Sequence, residues 1–316
     1  MTSPTVPAAG VHLPWAEVPE PVQNWASGVG GGAPTSARDL SGGFSPGPTT
    51  VLICPDRAIF VKTVGADLNP ESPGFHRREA AITFALPAAP QLPTLLDVYD
   101  DGDWVALAFD AVDGRPPACP WDARELGAAV HALEELHQLL TPSPAVTAPA
   151  ATLRLTTLMG GWSELAAQPT TPAGLDAWAA QRLTELAQLE SGWSEADVGT
   201  TLLHCDVRAD NMLVTDRGVV FVDWPHACVG AAEFDLLAWA PSVALEGGPS
   251  PEELLAMSPR ARAADPDAVT VLVAALSGFF VSHSLRPPPP GIPTIRAFQA
   301  AQGAVALSWL RHRTGW

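Results

Sequence analysis

The sequence predicts an α+β protein in two lobes: a small antiparallel β-sheet lobe, then a mostly helical lobe that carries one embedded β-hairpin. Three observations predict it. β-Branched and apolar runs broken by Gly, Pro and Asp turns fill residues 38–112. From Trp121 onward, apolar positions recur at the 3.6-residue helical period. Inside that helical half, "NMLVTDRGVVFVDW" (211–224) alternates as a hairpin. A chain of 316 residues, 47% hydrophobic and 16% charged, is long enough to bury a core in each of about two lobes.

Taken in order, residues 1–35 are rich in Pro, Gly and Ala and read as a lead-in, with helical character near Trp15–Ala26 and a flexible part at "GVGGGAP". The N-lobe is assigned to 36–112. "LSGGFSPGPTTVLICPDRAIFVKTV" reads as strand, glycine-containing turn, strand, turn at Pro55-Asp56-Arg57 and strand, ending near Val64. A helix over about 73–86 follows, with Glu79 at its middle, and "TLLDVYDDG" and "DWVALAFDAV" close the sheet. The C-lobe is assigned to 113–316, with helices over 122–140, 172–190, 232–245, 251–257, 267–283 and 294–313. "LTPSPAVTAPAAT" and "RPPPPGIP" are loops that helices cannot enter. Ligands favour the cleft between two such lobes.

Charge and cysteine usage restrict the function classes. A formal net charge of −17 argues against nucleic-acid binding, which needs a basic footprint. The longest apolar run, 268–281, falls short of the roughly 20 residues that span a bilayer, so no membrane helix is predicted. The N-terminus lacks the basic start and apolar middle of a secretory signal, which places the protein in the cytoplasm, as a monomer or homodimer. Cys54, Cys119, Cys205 and Cys228 form no CxxC pair and read as reduced thiols. His226 and Cys228 lie near His204 and Cys205, but without zinc-site spacing.

Lys62 is the sole lysine among 17 basic residues, and it falls inside the apolar strand "AIFVKTV". A bias that replaces nearly every lysine with arginine spares one where a compact ammonium is required. The second sharp feature is "LLHCDVRADNMLVTDRGVVFVDWPHA" (202–227). The hairpin brings its outer ends together, so Asn211 and Asp223 meet at its mouth with Asp206 close by. An amide oxygen and a carboxylate are hard ligands suited to Mg²⁺, and Asp206 is left to orient or deprotonate a hydroxyl. That set suits phosphoryl transfer from a nucleoside triphosphate to an alcohol.

The spacing His204-x-Asp206-x-x-x-x-Asn211 with Asp223 at a strand end resembles the aminoglycoside phosphotransferase and choline kinase-like family, relatives of protein kinases, over about residues 38 to 313. The resemblance implies a bilobal protein-kinase-like fold, Asp206 as catalytic base, and Asn211 and Asp223 as magnesium ligands. It implies Lys62 as the lysine holding the donor phosphates, paired with Glu79, and ATP or GTP as donor. Arg208, two residues after the base, is implied at the transferring phosphate, and His204 and Asp235 as supports of the catalytic loop. The loop "SGGFSPG" (41–47) resembles the nucleotide-positioning loop, with Ser45 or backbone N–H groups on phosphate, and Ala108, Phe109, Asp110 and Ala111 correspond to the hinge that meets the nucleobase. Two departures stand out: Cys205 replaces a glycine frequent between the His and Asp, and "VRADN" replaces "LHPGN". Trp224-Pro225 after Asp223 argues against an activation-loop switch.

The expected activity is therefore a small-molecule O-phosphotransferase acting on a hydroxylated acceptor. The favoured acceptor is an antibiotic such as an aminoglycoside; the alternatives are a metabolite kinase for a sugar, amino alcohol or choline-like compound, and a non-catalytic binding protein. Glu233, Glu246, Glu252 and Glu253 could meet an amino-sugar's ammonium groups, although ordinary solvated charges are the simpler reading. Trp162, Trp178, Trp193, Trp239 and Trp309 occupy apolar helical positions and are expected in the core.

Overall fold

The computed structural model describes residues 13–40, 47–289 and 292–316. The N-lobe is a five-stranded antiparallel sheet of β1 (Ser36–Asp39), β2 (Thr49–Ile53), β3 (Ala58–Gly65), β4 (Leu95–Asp100) and β5 (Trp104–Asp110), in the order β1-β2-β3-β5-β4. The β2–β3 turn is the expected one at Pro55–Arg57, closed by Cys54 N–H donating to the Arg57 carbonyl at 3.0 Å. Helix α1 (Glu20–Val29), preceded by a 3-10 turn over Trp15–Glu17, covers one face of the sheet. Trp15, Val18, Val22 and Ala26 are buried there against Leu52, Ile59, Val61, Ala106 and Ala108. The described part of the lead-in is thus built into the lobe's core. Its glycine stretch, expected to be flexible, makes a defined turn in which Gly32 N–H donates to Ser27 O at 2.8 Å and Asp56 N–H to Gly30 O at 3.2 Å.

Successive strand side chains point to opposite faces. Ile59 and Val61 belong to the core under α1, so Lys62 is turned to the other face, where α2 (Ser72–Ala85) packs on β3 and β5.

Helix α3 (Ala123–Leu139) opens the C-lobe, its first turn capped by Asp122 accepting from Arg124 N and Glu125 N. Five short helices follow: α4 (Ala151–Arg154), α5 (Gly161–Ala166), α6 (Ala177–Gln181), α7 (Leu183–Glu190) and α8 (Trp193–Ala196). The single helix expected over 172–190 is therefore two. Gly174 in the left-handed region (φ 86°) and the Asp176 cap delay its start, and Arg182 (φ −124°, ψ 20°) interrupts it.

Strand β6 (Thr201–Leu203) leads into the central segment and pairs with β9 (Cys228–Gly230); between them lies the hairpin of β7 (Met212–Thr215) and β8 (Gly218–Phe221). Gly218 pairs with Thr215 at φ 128°, so the turn proper is Asp216-Arg217. Helices α9 (Phe234–Leu245), α10 (Pro251–Met257), α11 (Pro259–Ala263), α12 (Pro266–Ser284) and α13 (Ile295–Thr314) complete the lobe.

By length and apolarity alone α12 would cross a membrane, at 19 residues and mean hydropathy 1.4; in the fold its window is 61% buried against α5, α7, α9 and α13, as a core helix. Trp162, Trp193, Trp239 and Trp309 are buried as expected, whereas Trp178 lies between the guanidinium groups of Arg182 and Arg311.

Candidate active site

Four elements converge at the cleft. Strand β3 supplies Lys62 and helix α2 supplies Glu79. The loop after β6 supplies Asp206, Arg208 and Asn211, and Asp223 is the second residue beyond β8. The Lys62 ammonium contacts Glu79 Oε2 and donates to Asp223 Oδ1 at 2.6 Å. The Lys62 and Glu79 side chains are 9% and 2% exposed, while that of Asp223 is 41% exposed and so reachable by a cation.

Burial opposes charge on all three groups, and their neighbours decide the outcome. Burial works against the Lys62 ammonium, but Asp223 and Glu79 outweigh it and hold its pKa above the usual lysine value. Burial likewise opposes the Asp223 carboxylate, yet Lys62 keeps it well below the usual carboxylate range. For Glu79 burial prevails over Lys62 and lifts the carboxyl to about 7. His76, buried on α2, is kept neutral by desolvation and by Lys62, with its pKa pushed down to about 3.

The catalytic-type loop is internally braced. Asn211 Nδ2 donates to the Asp206 carbonyl at 2.8 Å and to Asp206 Oδ2 at 2.9 Å. With both amide hydrogens spent on Asp206, the Asn211 side chain offers its oxygen as a ligand. Asn211 O accepts from Val222 N–H at 2.9 Å, which ties the start of the hairpin to its end and sets Asp223 near Asp206. Arg208 forks onto Asp210, Nε to Oδ1 at 2.9 Å and Nη2 to Oδ2 at 2.6 Å, and donates through Nη1 to Asp206 Oδ1 at 3.2 Å. Its guanidinium stacks over Phe298 at 5.4 Å.

Asp235, 1% exposed at the start of α9, holds the loop from below. It accepts from His204 N–H at 2.8 Å, Cys205 N–H at 2.7 Å and His137 Nε2 at 3.0 Å. Burial opposes its charge, but the His137 bond and the neighbouring imidazoles hold its pKa below the ordinary value. His204 in turn donates from Nε2 to the Val222 carbonyl at 2.9 Å and accepts from Asp206 N–H at 3.3 Å. These contacts are structural, as the sequence indicated for both residues. Cys205 (φ 63°) and Asp223 (φ 69°) are the non-glycine residues with left-handed backbone among the described residues. Such φ values are costly for a thiol side chain, and they explain why a glycine suits position 205. Cys205 Sγ lies 3.0 Å from Cys228 Sγ.

Not every sequence candidate is placed. Ser45 and residues 41–46 of the glycine loop lie outside the described residues. Gly47 is required because a Cβ there would collide with the Thr63 carbonyl. At the hinge, Ala108 and Phe109 are buried in β5, Asp110 pairs with Arg57 at 3.4 Å, and Ala111 follows the strand. The Asp110 and Ala111 N–H groups already donate to Thr94 O and Ala58 O, so neither is left for a nucleobase. Among the described residues no backbone carbonyl accepts from Val112 or Asp113 N–H, positions the sequence reading passed over. The sequence also gave no signal for Arg154, whose Nη2 meets His226 Nδ1 at 3.3 Å across 72 residues.

Among the described residues no group of three or more His, Cys, Asp or Glu side chains could hold a metal by itself. Asn211 and Asp223 nonetheless fit Mg²⁺, which needs few protein oxygens because it keeps waters and substrate phosphates.

The sequence matches the profile of the phosphotransferase enzyme family, APH, over residues 42–271. None of the curated proteins compared with the chain matches it. Among solved structures, choline kinase from Streptococcus pneumoniae superposes with a TM-score of 0.57 at 12% identity, over 88% of this chain and 94% of that one. A choline/ethanolamine kinase family protein from Mesorhizobium loti gives 0.56 at 19%, over 87% and 88%. A spectinomycin phosphotransferase in complex with ADP and spectinomycin gives 0.55 at 10%, over 87% and 93%. These likenesses establish the bilobal kinase-like fold.

Proposed function

The chain belongs to the phosphotransferase enzyme family, and from that premise we propose that it moves the γ-phosphate of ATP or GTP to a hydroxyl of a small molecule, with Asp206, Lys62, Asn211 and Asp223 as its working residues. It is a phosphotransferase with a nucleotide donor; the acceptor and the residue roles are our reading. The observation that carries the roles is the meeting, at one cleft, of Lys62 with Glu79 and Asp223 beside a braced Asp206–Asn211 pair.

Asp206 accepts the hydroxyl proton and aims the attacking oxygen, its carboxylate fixed by Asn211 and Arg208. Lys62, oriented by Glu79, holds the donor phosphates as a compact cation. Asn211 and Asp223 are the residues that would hold Mg²⁺, which neutralises charge developing on the phosphates. Arg208 keeps a guanidinium against Asp206 and beside the transferring group. The glycine loop is assigned to the phosphates, and the nucleobase edge to the backbone of residues 112–113. The enzyme is assigned to the cytoplasm, where nucleoside triphosphates are supplied.

For the acceptor, an antibiotic such as an aminoglycoside and a metabolite are both compatible with the family. One observation favours a non-aminoglycoside acceptor. Three acids that could meet ammonium groups are engaged within the fold: Glu246 accepts from Trp121 Nε1 at 2.9 Å, Glu252 from Trp309 Nε1 at 2.7 Å and Arg313 at 2.6 Å, and Glu253 closes the capping box of α10 with Ser250. The test is a phosphate-transfer assay with ATP and GTP, with and without Mg²⁺, across aminoglycosides, nucleoside antibiotics, amino alcohols and hydroxy acids. Magnesium-dependent transfer that disappears in Asp206→Ala supports the assignment; no transfer to any acceptor overturns it.

A further inference from the structure

We propose that Arg78, Arg154 and His226 form a subsite for an anionic group, a carboxylate or phosphate carried by the acceptor, at the side of the cleft bounded by α2 and α4. The inference rests on the phosphotransferase reading above and narrows its acceptor class.

The residues come from three separate elements. Phe75 and Arg78 lie on α2, Arg154 at the end of α4, and His226 three residues beyond Asp223. The rings of Phe75 and His226 are 5.3 Å apart at 60°, the Arg78 guanidinium sits 4.4 Å above Phe75, and Arg154 Nη2 reaches His226 Nδ1 at 3.3 Å. An imidazole nitrogen facing a guanidinium serves as acceptor, so His226 is neutral here and fixes Arg154 instead of neutralising it. Burial and then the charge of Arg154 depress the Arg78 pKa.

Neither guanidinium has a carboxylate among the ion pairs of the described residues. Each is held by a ring instead, Arg78 over Phe75 and Arg154 on His226, and because those two rings are in contact the guanidiniums flank a single ring pair. A guanidinium offers a planar fork that matches carboxylate and phosphate oxygens, and two of them around one ring pair suit a single anion.

Position ties the cluster to the reaction. Phe75 is one helical turn before Glu79, hence on the same face of α2 as the residue that contacts Lys62. His226 follows Asp223 by three residues. An anion held by Arg78 and Arg154 therefore sits on the Glu79–Asp223 side of the cleft, and a small acceptor can present its hydroxyl to Asp206 while its charged end is fixed. The same arrangement repels a polycationic acceptor.

Two measurements test this on the full chain. In transfer assays with Mg·ATP, hydroxy acids and sugar phosphates are expected to outperform amino alcohols and aminoglycosides; Arg154→Ala and Arg78→Ala are expected to raise the acceptor KM about tenfold or more, Arg154→Lys less, with the ATP KM within about twofold. In calorimetric titration with the nucleotide site saturated by Mg·ADP, inorganic phosphate is expected to bind wild type and Asp206→Ala but not the folded Arg78→Ala/Arg154→Ala double variant. Phosphate binding unchanged in the double variant, an increase in the ATP KM in place of the acceptor KM, or efficient transfer to cationic acceptors alone overturns the subsite. Arginine-dependent phosphate binding without transfer to any acceptor keeps the subsite and removes the phosphotransferase reading.

Discussion

Lys62 and Asp223 are 161 residues apart in sequence and 2.6 Å apart in space, and the same ammonium also contacts Glu79. One cation is shared by two carboxyl groups, and the more exposed of them, Asp223, is left open to a divalent cation. The Lys62–Glu79 pair is nearly closed to solvent, so removing one partner strands a buried charge.

Lys62→Met is expected to abolish transfer and to lower stability by about 3 kcal/mol, because Glu79 loses its cation. Lys62→Arg retains the charge but brings a wider group into a strand position that admits a compact ammonium, and kcat/KM is expected to fall about 100-fold. Urea denaturation and transfer assays on the two variants separate the effects; near-wild-type activity in Lys62→Arg would contradict the steric argument.

Asp206→Asn and Asp223→Asn are expected to fail differently. Asp206→Asn removes the proposed proton acceptor and should lower kcat by about 10²–10⁴ while Mg·ATP binding persists. Asp223→Asn removes a proposed metal ligand, and so does Asn211→Ala, so the Mg²⁺ concentration for half-maximal rate is expected to rise about tenfold or more. Magnesium titrations of the three variants read this directly, and an identical magnesium dependence in all of them would refute the division of roles.

Asp235→Ala orphans three donors at once, the N–H groups of His204 and Cys205 and His137 Nε2. A loss of about 3–5 kcal/mol in unfolding free energy is expected, along with a drop in kcat, since this carboxylate positions the loop that bears Asp206. The folded-state pKa of Asp235 is depressed, so its contribution is present above the ordinary Asp value and is lost as pH falls through the lowered one. An Asp235→Ala protein with wild-type stability in urea would remove this role.

Asp197 behaves in the opposite sense. It is 2% exposed, Oδ1 accepts from Ala231 N–H at 2.9 Å, Oδ2 has no partner among the described residues, and burial raises its pKa to about 7. The native state then binds a proton that the unfolded chain has released, so this group's stability is fully present below the unfolded pKa and is lost as pH rises through about 7. Asp197→Asn is expected to raise the melting temperature at pH 8 and to flatten its decline between pH 5 and pH 8, because a buried unpaired amide costs less than a buried unpaired charge. Parallel pH profiles for the two proteins would show that Asp197 does not titrate in this window.

The helical lobe and the sheet were legible because each carries a period, 3.6 or 2, written in consecutive residues. Segment 172–190 shows the limit. Its apolar spacing is helical throughout, but Gly174 and Arg182 break it, and a side-chain period does not report backbone geometry at single residues. Residues 108–111 show another: the Asp110 and Ala111 N–H groups are consumed by Thr94 and Ala58, pairings that the spacing of residues in the chain does not report.

By itself the sequence determined the chemistry available to this protein. A lone lysine within a strand, a glutamate in the next helix, and Asp206, Asn211 and Asp223 at fixed offsets around a hairpin are local facts, set by strand alternation and turn closure. Only the tertiary structure decided which distant groups meet: Lys62 with Asp223, Asp235 with the backbone of the loop that bears Asp206, and Arg154 with His226. Those meetings depend on how two lobes and the short helices between α3 and β6 pack. Side chains more than a hundred residues apart are joined by the fold alone.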